Sequence, residues 1–408
     1  MPVGLMKSTI FTIILLVCLF SAGCALSRDF DAHLNPIVKP YLFSIARWEL
    51  NAIPHEVNQW LFGRQEKIDD EIRVVTKYFS FLKQVKTLKS RIRVANAGSE
   101  ENDLALLEAE LNKLQEQQMT LKGKVERIIE KQIRNTLTEQ DIFNPVTEED
   151  FNFPPLDFRL EELPHLLVIS PRDRIDSVKE VILEQNLLVE DKESIEHRVD
   201  DLGVSSLVVE IGGIATYPSL VDSQASLRFT IETTTEEWLH QYLAFKPLGF
   251  LYLLDLSGIA RNYDIATMNE SLAGIVSKEI GDLVYEKYYS EYDTQATPAP
   301  VLKPEFDFNT EMRDIRIAVD AYLSSDEIEM AEEFMEQRRK FLVTKGYHIR
   351  KLNQAYFAFH GTYADSPAFI SSIGEELKEL RNRSSSLKDF LSTVASMTNR
   401  QDLSLSVR

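Results

Sequence analysis

Apolar residues recur at helical spacing across a long charged region, roughly residues 64 to 138. They step by three and four positions, and one polar break, Asn96-Ala97-Gly98-Ser99, divides the region in two. After the break, the a and d positions of a heptad are filled by Leu104, Leu107, Leu111, Leu114, Gln118, Leu121, Val125 and Ile128. This periodicity predicts an antiparallel coiled-coil hairpin, which serves either as a stalk or as a surface for a coiled-coil partner.

The pattern changes after a linker rich in Asn, Pro and Phe that begins at Phe143. Leu166 to Ile169 and Ser206 to Ile211 are short β-rich runs, and they predict strands. Residues 175 to 188 have helical spacing, and from Phe229 onward nearly every segment predicts helix. Strands mixed with helices in this way predict an α+β fold, mostly α, with one small sheet.

The N-terminus has the layout of a secretory signal. One cation, Lys7, precedes an apolar run from Ile10 to Phe20, and Ser21-Ala22-Gly23-Cys24 follows. Cys24 stands where a bacterial lipoprotein would be cut and acylated, whereas the apolar run alone is close to the minimum length of a membrane span. Both alternatives, lipoprotein and N-terminal anchor, predict an exported chain tethered to the outer face of the cytoplasmic membrane.

Charge and cysteine content narrow the class of partner. The formal net charge is −19, which repels nucleic acid and acidic lipid headgroups, so we expect no nucleic-acid partner. The second cysteine, Cys18, lies inside the leader, so the exported part has no disulfide framework. Its stability must therefore come from packing.

One predicted helix, Ser226 to Leu243, contains the string Glu236-Glu237-Trp238-Leu239-His240. Zinc peptidase helices carry His-Glu-x-x-His, because residues four apart lie on one helical face and grip one metal, while the intervening Glu acts as general base. Here the second His and the base are in place, and Glu236 replaces the first His. A carboxylate also binds divalent cations, so a metal site remains a valid prediction.

A second string, Asn269-Glu270-Ser271-Leu272-Ala273-Gly274, follows the first at a distance of 30 residues from His240 to Glu270. Together with Gly-Gly-x-x-Thr-Tyr-Pro-Ser from Gly212, these strings resemble the exported gluzincin-like predicted peptidases. In gluzincins a downstream Glu in an Asn-Glu-x-x-small-Asp setting is the third ligand, and the Asp orients the first His. Gly274 stands at the Asp position, so the first ligand and its orienting partner have changed together.

The C-terminal part, from Arg313 to about Phe390, is similar to the tail of bacterial predicted aminopeptidases. The similarity rests on Ala331-Glu332-x-Phe334-Met335, on Arg350-x-x-Asn353-x-Ala355 and on Gly361-Thr362-Tyr363. With the central strings, the resemblance covers about the C-terminal half of the chain. It implies a gluzincin-like domain with metal-site helices, preceded by the coiled-coil hairpin.

The resemblance implies a membrane-tethered metallopeptidase, of which an aminopeptidase is one form, that hydrolyses peptide or protein substrates with a metal-bound water. Glu236, His240 and Glu270 would hold a divalent metal, with zinc as the first expectation and manganese or iron as alternatives. Glu237 would be the general base, and Tyr363 or His360 would donate to the oxyanion. The segment from Gly212 to Tyr217 would align the substrate as an added strand.

Several alternatives stay open. The fold can have lost its chemistry and act as a pseudo-peptidase that binds peptides or scaffolds an assembly. A di-iron carboxylate site would need a second Glu-x-x-His on a facing helix. The string Glu161-Glu162-Leu163-Pro164-His165 has that spacing, but Pro164 disrupts a helix, so we predict a loop that enters a strand there. His55-Glu56 lacks a second His, since Gln59 occupies that position.

These observations predict four segments. Residues 1–26 form a signal peptide or anchor, and residues 27–142 form a helical region with the hairpin. Residues 143–305 carry the small sheet and the metal-site helices, and residues 306–408 form a C-terminal helical subdomain.

Overall fold

A computed structural model describes residues 28–43, 70–98, 101–147, 153–292, 306–361 and 371–408. The described residues are 66% helical with two small sheets, so the predicted α+β, mostly α class is confirmed. The helices are α1 Arg28–Val38, α2 Glu71–Gly98, α3 Glu101–Glu139, α4 Val189–Asp200, α5 Leu227–Leu243, α6 Pro247–Leu256, α7 Tyr263–Tyr289, α8 Phe308–Ser324, α9 Ile328–Thr344, α10 Gln354–His360, α11 Ile373–Arg383, α12 Leu387–Ala395 and α13 Arg400–Val407. The strands are β1 Phe158–Glu161, β2 His165–Ser170, β3 Lys179–Leu183, β4 Ser205–Glu210, β5 Gly213–Ile214 and β6 Ser219–Asp222.

Helices α2 and α3 pack against each other in antiparallel orientation. Lys131, near the end of α3, forms an ion pair of 2.7 Å with Glu71, the first residue of α2. Val125 and Ile128 are fully buried, whereas the heptad leucines closer to the tip remain partly exposed. The two helices occur where the periodicity predicted them, and the coiled-coil character of the pair stays a prediction.

The first sheet has the order β3-β2-β4, and both pairings are antiparallel. β2 and β4 occur where strands were predicted. The expectation of helix across residues 175–188 is wrong, because residues 179–183 form β3. The β-branched pair Val181-Ile182 favours a strand, and these residues pair with Leu167 and Leu166 of β2.

The second sheet has the order β1-β6-β5 and was not predicted as a separate unit. β1 pairs with β6 in parallel, and the two-residue strand β5 pairs with β6 in antiparallel orientation. β5 therefore forms one edge of this sheet. Both sheets are too small to form a core alone, so each packs against helices.

One large hydrophobic core joins the hairpin base, β1, helices α5 to α7 and helices α11 to α13. It contains Ile129 of α3, Trp238 of α5, Leu272 of α7 and Phe390 of α12, all nearly inaccessible to solvent. The base of the hairpin is therefore part of the same core as the helices that carry the predicted metal ligands.

Helices α1 and α4 cover one face of the first sheet, and α10 covers the other face through Ala355. Helices α8 to α10 form a further core around Met335 and Phe357. Arg350 contacts Glu196 of α4 through two hydrogen bonds, which fixes the loop before α10 to α4.

In the described part of the chain, no helix combines the length and the apolar character needed to cross a bilayer. The predicted leader or anchor, residues 1–26, lies outside the described residues, and so does His55-Glu56.

Candidate metal centre

Hydrogen bonds hold helix α5 in place at its N-terminus, at Trp238 and near its C-terminus. Ser226 caps its N-terminus by accepting a hydrogen bond from the Phe229 amide. Trp238 is buried, and its indole Nε1 donates to the Pro154 carbonyl at 2.8 Å. Near the C-terminus, the Gln241 amide donates to the Thr216 carbonyl at 2.7 Å, which ties α5 to the turn before β6.

Helix α7 crosses α5 at close range. Its N-cap Asn262 accepts a hydrogen bond from the Ile265 amide. Gly281 permits the close approach, because a Cβ atom there would lie 2.6 Å from Cγ of Glu232 on α5. Two rigid, capped helices in contact hold their side chains more accurately than loops would.

The three predicted metal ligands converge between these helices. Each of the three residues Glu236, His240 and Glu270 offers one ligand atom, and these atoms all lie within 4.8 Å of one another. His240 Nε2 lies 3.8 Å from Glu270 Oε2. Two tetrahedral zinc ligands would lie about 3.3 Å apart. Small rotations of the three side chains would bring their ligand atoms to this separation, so the donor set fits a divalent cation.

Two neighbouring residues orient the ligands. His240 Nδ1 lies 3.0 Å from Oδ1 of the fully buried Asn269. Because an amide oxygen only accepts, Nδ1 carries the proton, and the lone pair of Nε2 is directed toward Glu270. The Tyr252 hydroxyl on α6 donates to Oε1 of Glu270, which leaves Oε2 on the His240 side.

The site concentrates negative charge. Burial raises the pKa of Glu236 to about 7; His240 opposes this increase, and Glu270 adds to it. Burial raises the pKa of Glu237 well above its ordinary value, and the charges of Glu236 and Glu270 raise it further. Carboxylates that resist ionisation in this way gain from a nearby cation.

Strand β5 runs directly over the predicted base. A Cβ atom at Gly213 would lie 2.7 Å from Thr233 Cγ2 and closer still to a carboxylate oxygen of Glu237. Only glycine therefore lets the backbone of this edge strand approach Glu237 so closely. β5 lies within the segment from Gly212 to Tyr217 that the sequence singled out, and its role in aligning a substrate stays a prediction.

Arg261 ties the first sheet to the helices that carry the predicted ligands. It donates to the carbonyl groups of Ser177 and Val178, at 3.0 and 3.1 Å. These bonds hold the start of β3 beside the loop that leads into α7. Next to them, Glu180 of β3 accepts a hydrogen bond from the Ser177 hydroxyl at 2.8 Å.

The structure describes only one of the two predicted oxyanion donors, His360. Tyr363 lies outside the described residues. His360 packs against Tyr356, with ring centroids 4.3 Å apart, and burial lowers its pKa to about 4. The next residue, Gly361, accepts a hydrogen bond from the Tyr263 hydroxyl in the first turn of α7. That contact is about 10 Å along the helix axis from Glu270, so the role of His360 stays a prediction.

The structure also describes Gly274, the string from Glu161 to His165, and one residue that the sequence analysis did not identify. A Cβ atom at Gly274 would have no atom within 4 Å, so the place of the missing Asp is open. Glu161 ends β1 and His165 begins β2, and the residues between them form a loop, as predicted. The sequence analysis did not identify Tyr252, because a single Tyr in a region predicted to be helical carries no spacing signal.

Comparison of the chain with family models, curated proteins and solved structures gave no match.

Proposed function

We propose that this protein is a metallopeptidase of gluzincin type, held at the outer face of the cytoplasmic membrane by its N-terminus. The observation that carries the proposal is the convergence of Glu236, His240 and Glu270, with Glu237 under the edge strand β5. A ligand triad, a base and a substrate-aligning strand are the three parts that metal-assisted peptide hydrolysis requires.

The orientation of the ligands supports this proposal. His240 presents Nε2 because Asn269 accepts from its other nitrogen, and Tyr252 holds Glu270. Ligand residues in metal sites are oriented by such hydrogen-bond partners.

A bound divalent cation would supply Lewis acidity and lower the pKa of a coordinated water. Glu237 would accept the proton of the attacking water. Burial and the charges of Glu236 and Glu270 hold its pKa well above its usual range, and a bound cation would lower it. β5 is a sheet edge, so an extended peptide would pair with it and pass over Glu237. The substrate class that follows is an extended peptide or an unfolded protein segment.

The alternative is a pseudo-peptidase that binds peptides along β5 or scaffolds an assembly. Replacement of the first His by Glu236 favours it. Ligands of charge −1, 0 and −1 neutralise a +2 ion, whereas two His and one Glu leave a net charge of +1, so the ion held by Glu236, His240 and Glu270 is the weaker Lewis acid. The two functions share the fold and the ligand cluster. They differ in whether a bound metal activates water.

The test begins with metal content. The full-length chain, purified without chelator, is compared with the His240→Ala, Glu270→Ala double variant by elemental analysis. We expect zinc, manganese or iron close to one per chain in the wild type and its loss in the variant. The matched control is Glu193→Ala, His197→Ala, which removes the same two residue types from exposed positions four apart on α4. It should retain the metal.

The second stage is cleavage of a mixed-sequence peptide library, read by mass spectrometry. We expect cleavage by the wild type and cleavage at least about a hundredfold slower by Glu237→Gln, which retains the metal because residue 237 is not a ligand. A metal-loaded wild type that cleaves no peptide would favour the pseudo-peptidase. A wild type that binds none of the three metals would reject both the centre and the enzyme.

A further inference from the structure

Helix α6 exposes an apolar face on the side opposite to the main core. On its inner side, Leu248, Leu251 and Tyr252 pack in or against that core. Residues on the other side, spaced three and four apart, and one residue just after the helix are exposed or partly exposed. They form the outer face of α6: Phe250, Leu253, Leu254 and Ile259. Exposed apolar side chains grouped in this way mark an interaction surface.

The charges around the outer face differ from those of the rest of the chain. Residues 246–263 carry two cations, Lys246 and Arg261, and one acid, whereas the whole chain has a net charge of −19. The acid, Asp255, is buried, and it accepts a hydrogen bond from the Asn262 amide at 2.6 Å. Apolar helices with Lys and Arg at their ends suit a lipid–water interface, where the cations reach the headgroups.

The start of α1 lies at the same edge of the first sheet as the loop that follows α6. Lys179, the first residue of the edge strand β3, forms an ion pair with Asp31 of α1. The two residues before it, Ser177 and Val178, accept hydrogen bonds from Arg261. These contacts fall on three consecutive residues of the chain. The start of α1 and the α6–α7 loop are therefore close to each other at the start of β3.

The predicted tether leaves little distance between this edge and a membrane. Arg28, the first residue of α1, follows Cys24 by four residues and Phe20, the end of the apolar run, by eight. An extended chain spans at most about 3.5 Å per residue. Arg28 therefore lies within about 14 Å of a lipidated Cys24, or within about 28 Å of the end of an N-terminal anchor. Either tether keeps the start of β3, and with it the end of α6, close to the bilayer.

We propose that the outer face of α6 lies in the surface of the membrane that holds the N-terminus. Phe250 and Ile259 would enter the lipid, and Lys246 and Arg261 would lie among the headgroups. α6 has 10 residues, which is too short to cross a bilayer, so it would lie along the surface. This second contact would fix the orientation of the tethered protein. The inference rests on the tether in the proposed function and is independent of the metal centre.

The position of Tyr252 argues against a peptide substrate as the occupant of the outer face. Its hydroxyl donates to Glu270, so the predicted metal centre lies on the inner side of α6. Phe250 comes two residues earlier, which places it about 160° around the helix from Tyr252. A peptide bound at the metal centre would thus be separated from Phe250 by the helix itself.

Fluorescence quenching by lipid tests the proposal on the full-length chain. The chain is reconstituted into phosphatidylcholine vesicles that contain nitroxide-labelled phosphatidylcholine, and flotation shows whether it is tethered. A dye is attached at Ile259→Cys, and the signal of the dye-treated wild type is subtracted to correct for Cys18 and Cys24. We expect the lipid to quench the dye at position 259 at least about twofold. The matched control is Leu188→Cys, because Leu188 is also 65% exposed and follows the far end of β3. Its dye should stay unquenched.

A second pair of variants tests the apolar contact itself. Phe250→Gln should reduce the quenching at position 259 by about half or more, because it removes apolar surface from the contact. Phe250 is 52% exposed, and Val189, at 53%, gives the matched control Val189→Gln. That control should leave the quenching unchanged. Circular dichroism should show equal helix content in all variants.

The outcomes separate this inference from the tether on which it rests. A chain that floats with the vesicles but is quenched equally at positions 259 and 188 would overturn the inference and leave the tether intact. Quenching that Phe250→Gln does not reduce would also overturn it. A chain that does not float would reject the tether and this inference together, and metal content would still test the metal centre. A floating chain whose dye responds to added peptide and not to lipid would assign the outer face to a substrate.

Discussion

The space available for an added Cβ atom differs between two glycines beside the predicted metal centre, Gly213 and Gly274. In Gly213→Ala, the new methyl group would lie 2.7 Å from Thr233 Cγ2, and it would also press on the Glu237 carboxylate. Carbon atoms in ordinary contact lie about 3.5–4.0 Å apart, so β5 or Glu237 must move by about 1 Å. Overpacking of this kind destabilises by about 1–3 kcal/mol. A displacement of about 1 Å at a catalytic group lowers kcat/KM about a hundredfold.

Gly274→Ala is the matched control, since its Cβ atom meets nothing within 4 Å. Alanine in a helix interior should stabilise the protein by about 0.5–1 kcal/mol and leave kcat/KM unchanged. Denaturant unfolding and peptide cleavage are measured for both variants. The reasoning would be refuted by a Gly213→Ala variant with wild-type stability and with kcat/KM within twofold of the wild type. The stability measurement holds even if the protein cleaves no peptide.

Four further predictions concern the ligand cluster. The pKa of Glu236 is raised from 4.5 to about 7, so the folded protein holds a proton there that the unfolded chain has lost. Chelator-treated protein should therefore lose stability as pH rises from about 4.5 to about 7. Because a metal must displace this proton, metal affinity measured by titration calorimetry should increase about tenfold per pH unit below pH 7. Glu237→Gln should retain metal and lower kcat by about a hundredfold to ten-thousandfold, and an unchanged kcat would exclude it as the base. Tyr252→Phe should weaken metal binding about tenfold or more, because Glu270 loses its hydrogen-bond donor, with circular dichroism as the folding control. Glu236→His with Gly274→Asp should raise zinc affinity about tenfold or more; equal or weaker affinity would contradict the proposed ligand set.

Helical periodicity predicted α2, α3 and the later helices because their buried faces are long. Its failure at residues 175–188 has a physical cause. That segment is short, and its central residues pair with β2, so its periodicity did not decide between helix and strand. The second sheet was missed for a related reason. Its parallel pairing of β1 with β6 joins residues about 60 apart, and no local pattern encodes that contact.

Within the site, the sequence predicted what helical spacing determines. Glu236 and His240 lie four apart on one helix, so their proximity follows from geometry, and Glu270 was added by resemblance. Tyr252 reaches Glu270 through the packing of α6 against α7. Such contacts depend on tertiary structure.

The C-terminal strings that carried the resemblance have structural roles in the described protein. Arg350 is paired with Glu196, and Asn353 caps α10 and donates to the Ser206 carbonyl. Ala331 is fully buried. These residues therefore contribute to the packing of α9, of α10 and of the loop between them.

The hydrogen bonds around His240 bear on the choice between enzyme and scaffold. A site that had lost its metal function would be expected to close, with His240 and Glu270 in a short ion pair. Nε2 of His240 and Oε2 of Glu270 are instead 3.8 Å apart, within ion-pair distance but beyond hydrogen-bond distance. The other nitrogen of His240 is bonded to an amide, and Glu270 accepts a hydrogen bond from a phenol. Burial raises the pKa of Glu236, and the charge of Glu270 raises it further. A divalent cation would relieve this repulsion, so metal content is the measurement that separates the enzyme from the scaffold.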